Sequence, residues 1–181
     1  MQRETHVTGS EIESRRPGGK SLKESYEHHD VGHAHVVALL EERGFTVEEY
    51  GIDERDHDAD EGIITSDRMD LKVLEDGRTA GFIDVKTKTR PRWMGLFNAS
   101  DYEKYVTHAT EFGVPALVVM SLVEDEETYD TFVTDMKEMT PMLSSTHEPV
   151  GRFPDGKGMC YVPHEYRNGV EFLYEKMSGY Q

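Results

Sequence analysis

The segment MDLKVL-EDG-RTAGFIDVKTK, residues 69–88, constrains the fold more than any other part of the chain. It has the pattern of two short strands joined by a tight turn, with β-branched residues on both sides of an Asp-Gly pair and an aromatic residue, Phe82, after it. Side chains alternate faces along a strand, and directly paired residues share a face. The register of this hairpin therefore decides whether Asp70 and Asp84 lie on the same side of the sheet.

A two-residue turn at Asp76-Gly77 would put Asp70 and Asp84 on opposite faces. A three-residue loop made by Glu75-Asp76-Gly77 keeps them together, and so does a compensating bulge in one strand. Lys86 lies two residues beyond Asp84 and so shares its face. We therefore predict a three-residue loop or a bulge, with both carboxylates and the ammonium group on one face.

The order of these features resembles a known family. An acid on one strand, a turn, then Asp84-x-Lys86 on the next strand, with a helix before and a helix and buried strand after, is similar to the PD-(D/E)XK nuclease superfamily. The likeness covers residues 29–123 and points to its resolvase and recombination-nuclease branch. Met69 stands where the family often has proline, and Asp84 replaces the commoner glutamate. The resemblance implies an αβββαβ core, a DNA substrate and, as in many relatives, a possible homodimer.

The chemistry expected of this motif is metal-dependent hydrolysis of phosphodiester bonds. Asp70 and Asp84, with the carbonyl oxygen of Val85, would hold Mg²⁺, or alternatively Mn²⁺, because both ions prefer oxygen ligands. Lys86 would orient the attacking water or help to deprotonate it, and would balance charge in the transition state. Asp67 is a rival first acid, but its odd offset from Asp70 directs it to the other face of a regular strand.

Two other classes of function stay open. One is a nuclease-fold protein that binds nucleic acid or another protein without cutting. The other is a structural or assembly protein, in which Asp84 and Lys86 form a surface ion pair of under about 1 kcal/mol.

Histidines crowd the start of the first predicted helix, and His29 with His33 has the i, i+4 spacing that can bind a transition metal. No third ligand is evident from the sequence. In the resemblance, the first helix often directs a Glu or His toward the metal. Counting back from Gly44, His33 falls at that position, with His35 the next choice.

The chain carries 36 acidic and 20 basic residues, a net charge of −16, which is unusual for a DNA enzyme. We interpret this excess as the surface of a protein from a halophilic archaeon or its virus, where molar salt screens the repulsion. The alternative is an acidic protein that binds a basic partner or mimics DNA.

Residues 85–100 contain no acid at all. Lys88, Arg90 and Arg92 fall there on alternate positions beyond Lys86, with Trp93 beside them. We predict that these residues bind DNA phosphates along a strip that leads away from the metal. The alternative is an exposed edge strand guarded by basic side chains.

Tyr102 and Tyr105 follow in a helix predicted to start at the capping box Ser100-Asp101-Tyr102-Glu103. Their spacing marks them as core residues. They also resemble helix tyrosines that follow the catalytic lysine in several branches of the superfamily, so Tyr102 is included in the predicted nucleic-acid surface.

The remaining pattern predicts a flexible arm over residues 1–26 and one α/β domain over residues 27–181, with a mixed central sheet flanked by helices. An almost continuous apolar run over residues 115–123 predicts a strand buried on both faces. Residues 128–143 suggest a strand and a short helix. The single cysteine and the lack of any long apolar run favour a cytoplasmic protein outside the membrane.

Overall fold

The computed structural model describes residues 22–51, 68–139, 151–152, 156 and 158–179. Residues 1–21 of the predicted arm lie outside the described residues. The arm was predicted too long, because the first helix begins at Leu22 and not after residue 26. The rival acid Asp67 also lies outside the described residues.

The described chain contains both helices and strands. The helices are α1 (Leu22–Glu42), α2 (Ala99–Phe112) and α3 (Val170–Ser178), with 3₁₀ turns at Pro91–Trp93 and His164–Tyr166. The strands are β1 (Thr46–Glu49), β2 (Leu71–Glu75), β3 (Arg78–Lys88), β4 (Leu96–Asn98), β5 (Ala116–Glu124), β6 (Glu127–Asp135), β7 (Gly151–Arg152) and β8 (Gly158–Tyr161). No described helix is long and apolar enough to span a bilayer.

Five strands form the central sheet in the order β1-β2-β3-β5-β6. The β3–β5 pair is parallel and the other pairs are antiparallel, so the sheet is mixed as predicted. A parallel pair needs a crossover connection, and here β4 and α2 supply it. Strand β5 is buried along most of its length, as its apolar run predicted.

The β2–β3 hairpin satisfies the predicted parity through a bulge. Its turn has only two residues, Asp76 and Gly77, both with positive φ of 50° and 76°, which suits the right-handed twist of the strands. Leu74 pairs with Thr79 and Val73 with Gly81, so Ala80 is an extra residue in β3. This bulge restores the register that the short turn would have lost.

Alternation along β3 divides the core into two layers. Ile83 and Val85 face α1 and α3, where they pack in one cluster with Leu40 and Leu173. Phe82 lies in the opposite cluster, with Tyr105 of α2. Asp84 shares the parity of Phe82, so this carboxylate enters the sheet on the side that α2 covers.

A three-stranded sheet of order β4-β8-β7 lies on the α2 side. Arg167 joins it to the central sheet, donating to the carbonyl oxygens of Val162 at 2.9 Å and Met94 at 3.2 Å. Its guanidinium also lies over the rings of Phe132 and Tyr161. The small sheet thereby fixes the segment that runs from β3 into α2.

Two local predictions need correction. The capping box at Ser100 is wrong, because α2 begins at Ala99 directly after β4 and its N-cap, Asn98, makes no side-chain capping bond. The carboxylate of Asp101 is used elsewhere, in ion pairs with lysines. The strand predicted from residue 128 is confirmed as β6, whereas residues 136–139 form turns and the rest of the predicted short helix lies outside the described residues.

Candidate active site

Asp84 is the most enclosed charged side chain of the site, with 2% of its surface exposed. Tyr105 of α2 donates its hydroxyl proton to Asp84 Oδ2 at 2.6 Å, and Lys86 Nζ lies 2.8 Å from the same oxygen. Burial alone would raise the pKa of Asp84, but Lys86 and Lys104 outweigh it and hold the pKa below its usual value. Asp84 is therefore a permanently ionised carboxylate at neutral pH.

Asp70 lies immediately before β2. Leu71 pairs with Ile83, and continuing that register by one residue sets Asp70 opposite Asp84. The backbone amide of Val85 donates to Asp70 Oδ2 at 2.7 Å. Burial, and then the charge of Asp84, raise the pKa of Asp70 to about 7. The two carboxylates predicted from parity are thus brought together, and they repel each other.

The Val85 carbonyl is directed to the same side of β3 as Asp70. In an antiparallel ladder one residue directs both its amide and its carbonyl to the same neighbouring strand. The Val85 amide meets the Asp70 side chain, and β2 begins only at Leu71. The predicted third oxygen therefore lies beyond the end of β2, on the side where the carboxylates meet.

The side chain of Lys86 extends from β3 to α2. Its Nζ is 2.8 Å from Asp84 Oδ2 and 3.1 Å from Asp101 Oδ2. Burial lowers the pKa of Lys86, but Asp84, Asp101 and Asp70 more than offset this and raise the pKa above its usual value. Lys86 is therefore an ammonium ion at neutral pH in the metal-free protein, and as such it can orient a water molecule by donating a hydrogen bond.

Sequence reasoning missed Asp101 and Lys104 as members of the site. Lys104 Nζ lies 3.8 Å from Asp84 Oδ1 and 3.9 Å from Asp101 Oδ1. Asp101 shares a helical face with both Lys104 and Tyr105, since it precedes them by three and by four residues. The signal that could have found them was this shared face, once Tyr105 was assigned to the core.

The helix residue that reaches Asp70 is His29, not the predicted His33. His29 Nε2 lies 3.9 Å from Asp70 Oδ2, whereas His33 Nε2 lies 3.3 Å from Glu49 Oε2. Glu49, the partner of His33, pairs with Leu71. Asp70 is the residue before Leu71, so it lies level with the turn of α1 that precedes His33 and carries His29. The predicted residue, His33, therefore lies one helical turn after the histidine that reaches Asp70.

The predicted basic strip bends where β3 ends at Lys88. Arg90 and Arg92 are exposed, and their guanidinium carbons lie 5.0 and 5.6 Å from the centre of the Trp93 ring. Burial, and then the charge of Lys86, lower the pKa of Lys88 to about 8. The 3₁₀ turn at Pro91–Trp93 ends the strand alternation, so the arginines gather round the tryptophan instead of following one extended face.

Tyr102, predicted to contact nucleic acid, is half-buried at the start of α2 and packs against the core. Its hydroxyl oxygen is buried, and it has no hydrogen-bond partner among the described residues. Tyr105, one turn later, is the tyrosine that contacts the motif.

The donor set suits a hard divalent cation that keeps some of its water. Within the described ranges, no three His, Cys, Asp or Glu side chains are arranged to enclose an ion. Mg²⁺ is often bound by only one or two carboxylates and several waters. Burial, and then the charge of Asp84, disfavour the ionised form of Asp70 and raise its pKa, and a bound cation would stabilise that ionised form.

Comparison with known proteins supports the fold. No protein-family model and no curated protein matches the sequence. The structure is similar to that of Hjc, a Holliday junction resolvase from the archaeal hyperthermophile Archaeoglobus fulgidus, with a TM-score of 0.50 and 13% sequence identity. The match covers 82% of this chain and 96% of the resolvase. The chain therefore has a nuclease-like α/β fold.

Proposed function

We propose that this protein is a metal-dependent nuclease that hydrolyses phosphodiester bonds in DNA. The observation that carries the proposal is the position of Asp70 opposite Asp84, with Lys86 bound to Asp84. These are two carboxylates of unequal pKa and one ammonium held by ion pairs, at the level where β2 begins beside β3. The fold shared with an archaeal junction resolvase supports the same reading.

The proposed ligands of a divalent cation are Asp70, Asp84 and the carbonyl oxygen of Val85, with His29 beside Asp70 as the helix contribution. Mg²⁺, or Mn²⁺ in its place, would supply polarisation of the phosphodiester and activation of water. Tyr105 holds the Asp84 carboxylate in one orientation, and the Val85 amide does the same for Asp70. The chain thus fixes both carboxylates by hydrogen bonds before any substrate arrives.

Lys86 acts as a charge stabiliser in this proposal. Its raised pKa keeps the proton on the ammonium, so it donates hydrogen bonds and does not accept a proton. A fixed cation stabilises the negative charge that develops on the phosphoryl oxygens in the transition state.

The proposed DNA path leads from Lys86 to Lys88 and on to Arg90, Arg92 and Trp93. This stretch of the sequence lacks acidic residues in a chain of net charge −16, and its basic side chains can contact phosphates. The interaction would be strongly salt-dependent, and a halophilic setting would require it to persist in molar salt.

The experiment is a cleavage assay on linear, circular and branched DNA with Mg²⁺ or Mn²⁺, from low to molar salt. We expect cleavage by the wild type, and loss of cleavage with retained folding in Asp84→Asn and Lys86→Met. Glu111→Gln removes an exposed charge from the end of α2 and serves as the matched control. Full activity in either motif variant would refute the assignment.

A metal titration followed by thermal unfolding separates the proposal from a non-cutting, DNA-binding role. A ligand that binds only the native state raises the unfolding temperature. We expect Mg²⁺ or Mn²⁺ to stabilise the wild type, and to stabilise Asp84→Asn less. DNA binding without cleavage and without a metal-dependent shift would favour the inactive alternative.

A further inference from the structure

Four side chains of alternating charge form a closed ring next to the nuclease motif. Lys86 Nζ contacts Asp84 Oδ2 at 2.8 Å and Asp101 Oδ2 at 3.1 Å. Lys104 Nζ closes the ring on the other side, at 3.8 Å from Asp84 Oδ1 and 3.9 Å from Asp101 Oδ1. We call Asp84, Lys86, Asp101 and Lys104 the charge ring. Half of it comes from β3 and half from α2.

The ring restricts the Lys86 ammonium from two sides. A lysine side chain has many rotamers, and a single carboxylate partner leaves most of that freedom in place. Asp84 and Asp101 belong to different elements, so two simultaneous contacts leave the Nζ atom one narrow position. An ammonium has three N–H donors. Two are used by these carboxylates, and the third is left for an oxygen of the substrate.

Stability explains only part of the ring. Lys86 and Lys104 compensate the buried charge of Asp84, whereas Asp101 is an anion that is 20% exposed and cannot compensate that charge. Helix α2 is already attached to the sheet by buried Tyr105 and Ala109. An acid in the first turn does suit the helix dipole, but that role needs no contact with Lys86.

We propose that Asp101 is a positioning residue that fixes the Lys86 ammonium between β3 and α2, and that Lys104 holds Asp101 in this role. The inference rests on the proposed nuclease function, because a fixed ammonium serves the charge stabilisation described there. Helix α2 thereby becomes part of the reaction machinery, although the Asp-x-Lys motif lies entirely on β3.

The kinetic test compares Asp101→Asn with Glu103→Gln. Glu103 is exposed on the same helix, so its variant removes the same charge without touching the ring. We expect Asp101→Asn to lower kcat about 10- to 100-fold, the usual cost of losing an outer partner of a metal-site residue. KM should stay within about twofold, because the charge acts mainly in the transition state. Asp101→Glu, which keeps the carboxylate, should recover part of the rate.

A second measurement tests the positioning without any cleavage. In ¹⁵N-lysine NMR spectra, an ammonium held in ion pairs exchanges its protons slowly enough to give a signal. We expect the Lys86 signal in wild type and Glu103→Gln, its loss in Asp101→Asn, and its weakening in Lys104→Gln. Lys86→Arg identifies the signal by removing it.

The outcomes separate the two proposals. If the wild type does not cleave DNA but the Lys86 signal depends on Asp101, the nuclease function fails and the positioning stands. If the wild type cleaves and folded Asp101→Asn keeps its kcat, the positioning role is overturned. A Lys86 signal that is unchanged in both Asp101→Asn and Lys104→Gln would overturn it as well.

Discussion

The hydroxyl of Tyr105 donates a 2.6 Å hydrogen bond to Asp84 Oδ2, which ties α2 to a carboxylate in the middle of the central sheet. Asp84 is almost fully buried, and a buried charge is stable only when its hydrogen-bonding capacity is filled. The contact therefore links the folding of α2 to the ionised state of the motif.

Tyr105→Phe removes only this hydroxyl. We expect a loss of about 1 to 3 kcal/mol in the free energy of unfolding, because a buried, charged acceptor loses a donor. Chemical denaturation measures the change. Tyr102→Phe is the matched control on the same helix, since its buried hydroxyl has no partner among the described residues. It should leave the stability within about 0.5 kcal/mol or raise it. Equal losses in both variants would contradict this account.

The raised pKa of Asp70 gives the metal-free protein a pH-dependent stability. In the folded state Asp70 keeps its proton up to a pKa of about 7, whereas in the unfolded chain it loses the proton near its ordinary pKa of 3.8. Between these values the folded state binds the additional proton, so rising pH removes stability and the loss is complete above the folded pKa.

Asp70→Asn mimics the protonated side chain and removes this term. In the presence of a chelator, we expect the variant to gain stability relative to wild type as pH rises from about 4 to 7, with no further gain above the folded pKa. Unfolding midpoints measured across this range test the prediction. Asp76→Asn at the exposed hairpin turn is the control. A constant difference between Asp70→Asn and wild type at all pH values would show that Asp70 ionises normally.

The sequence predicted the structure best where the pattern of residues along a single strand decides which side chains are buried or share a face. The apolar run of β5 and the parity of Asp70 and Asp84 were both predicted correctly. The length of the hairpin loop could not be predicted, because a three-residue loop and a two-residue turn with a bulge at Ala80 give the same register. Aspartate tolerates left-handed backbone, so Asp76 allowed the shorter turn.

The parts that the sequence could not supply depend on contacts between distant elements. His29 reaches Asp70 because α1 packs across the central sheet, mainly against β3, at the level where β2 begins. Asp101 reaches Lys86 only because α2 crosses the end of β3. Neither distance follows from local periodicity, since the relative position of two packed elements is set by the core between them.

The exposed arginines of the strip should control the salt dependence of DNA binding. Each phosphate contact releases counterions and contributes about 0.9 to the slope of log K against log salt. We expect Arg90→Gln and Arg92→Gln each to reduce that slope by about one if the side chain contacts a phosphate. Fluorescence anisotropy with labelled DNA over a salt series measures it, with motif variants used to prevent cutting.

Arg78→Gln is the control for this measurement. Arg78 is exposed and carries the same charge, but it begins β3, and Lys88 ends it about 33 Å away at some 3.3 Å per residue. Its loss should leave the slope unchanged. An equal reduction in all three variants would mean that binding depends on total charge and not on the strip.

Gly32 permits α1 to lie directly against β3. A Cβ atom at this position would collide with Cγ2 of Thr87, a branched side chain with little freedom to move away. In an open helix Gly32→Ala would gain about 1 kcal/mol. Here we expect the overpacking cost of about 1 to 3 kcal/mol to outweigh that gain, so the variant should be less stable than wild type.

Thr87→Ser tests the cause of this loss, because it removes the colliding methyl group and leaves the hydroxyl. In the Thr87→Ser background, Gly32→Ala should become neutral or stabilising, which is a coupling within the 0.5 to 3 kcal/mol typical of residues in contact. Ala38→Gly, at an exposed position of the same helix, is the control, because it measures the helix preference of alanine over glycine without this contact. Additive effects of Gly32→Ala and Thr87→Ser in urea denaturation would show that α1 does not depend on this contact. If they couple as expected, the Gly32–Thr87 contact sets how closely α1 packs against β3, in the helix that carries His29.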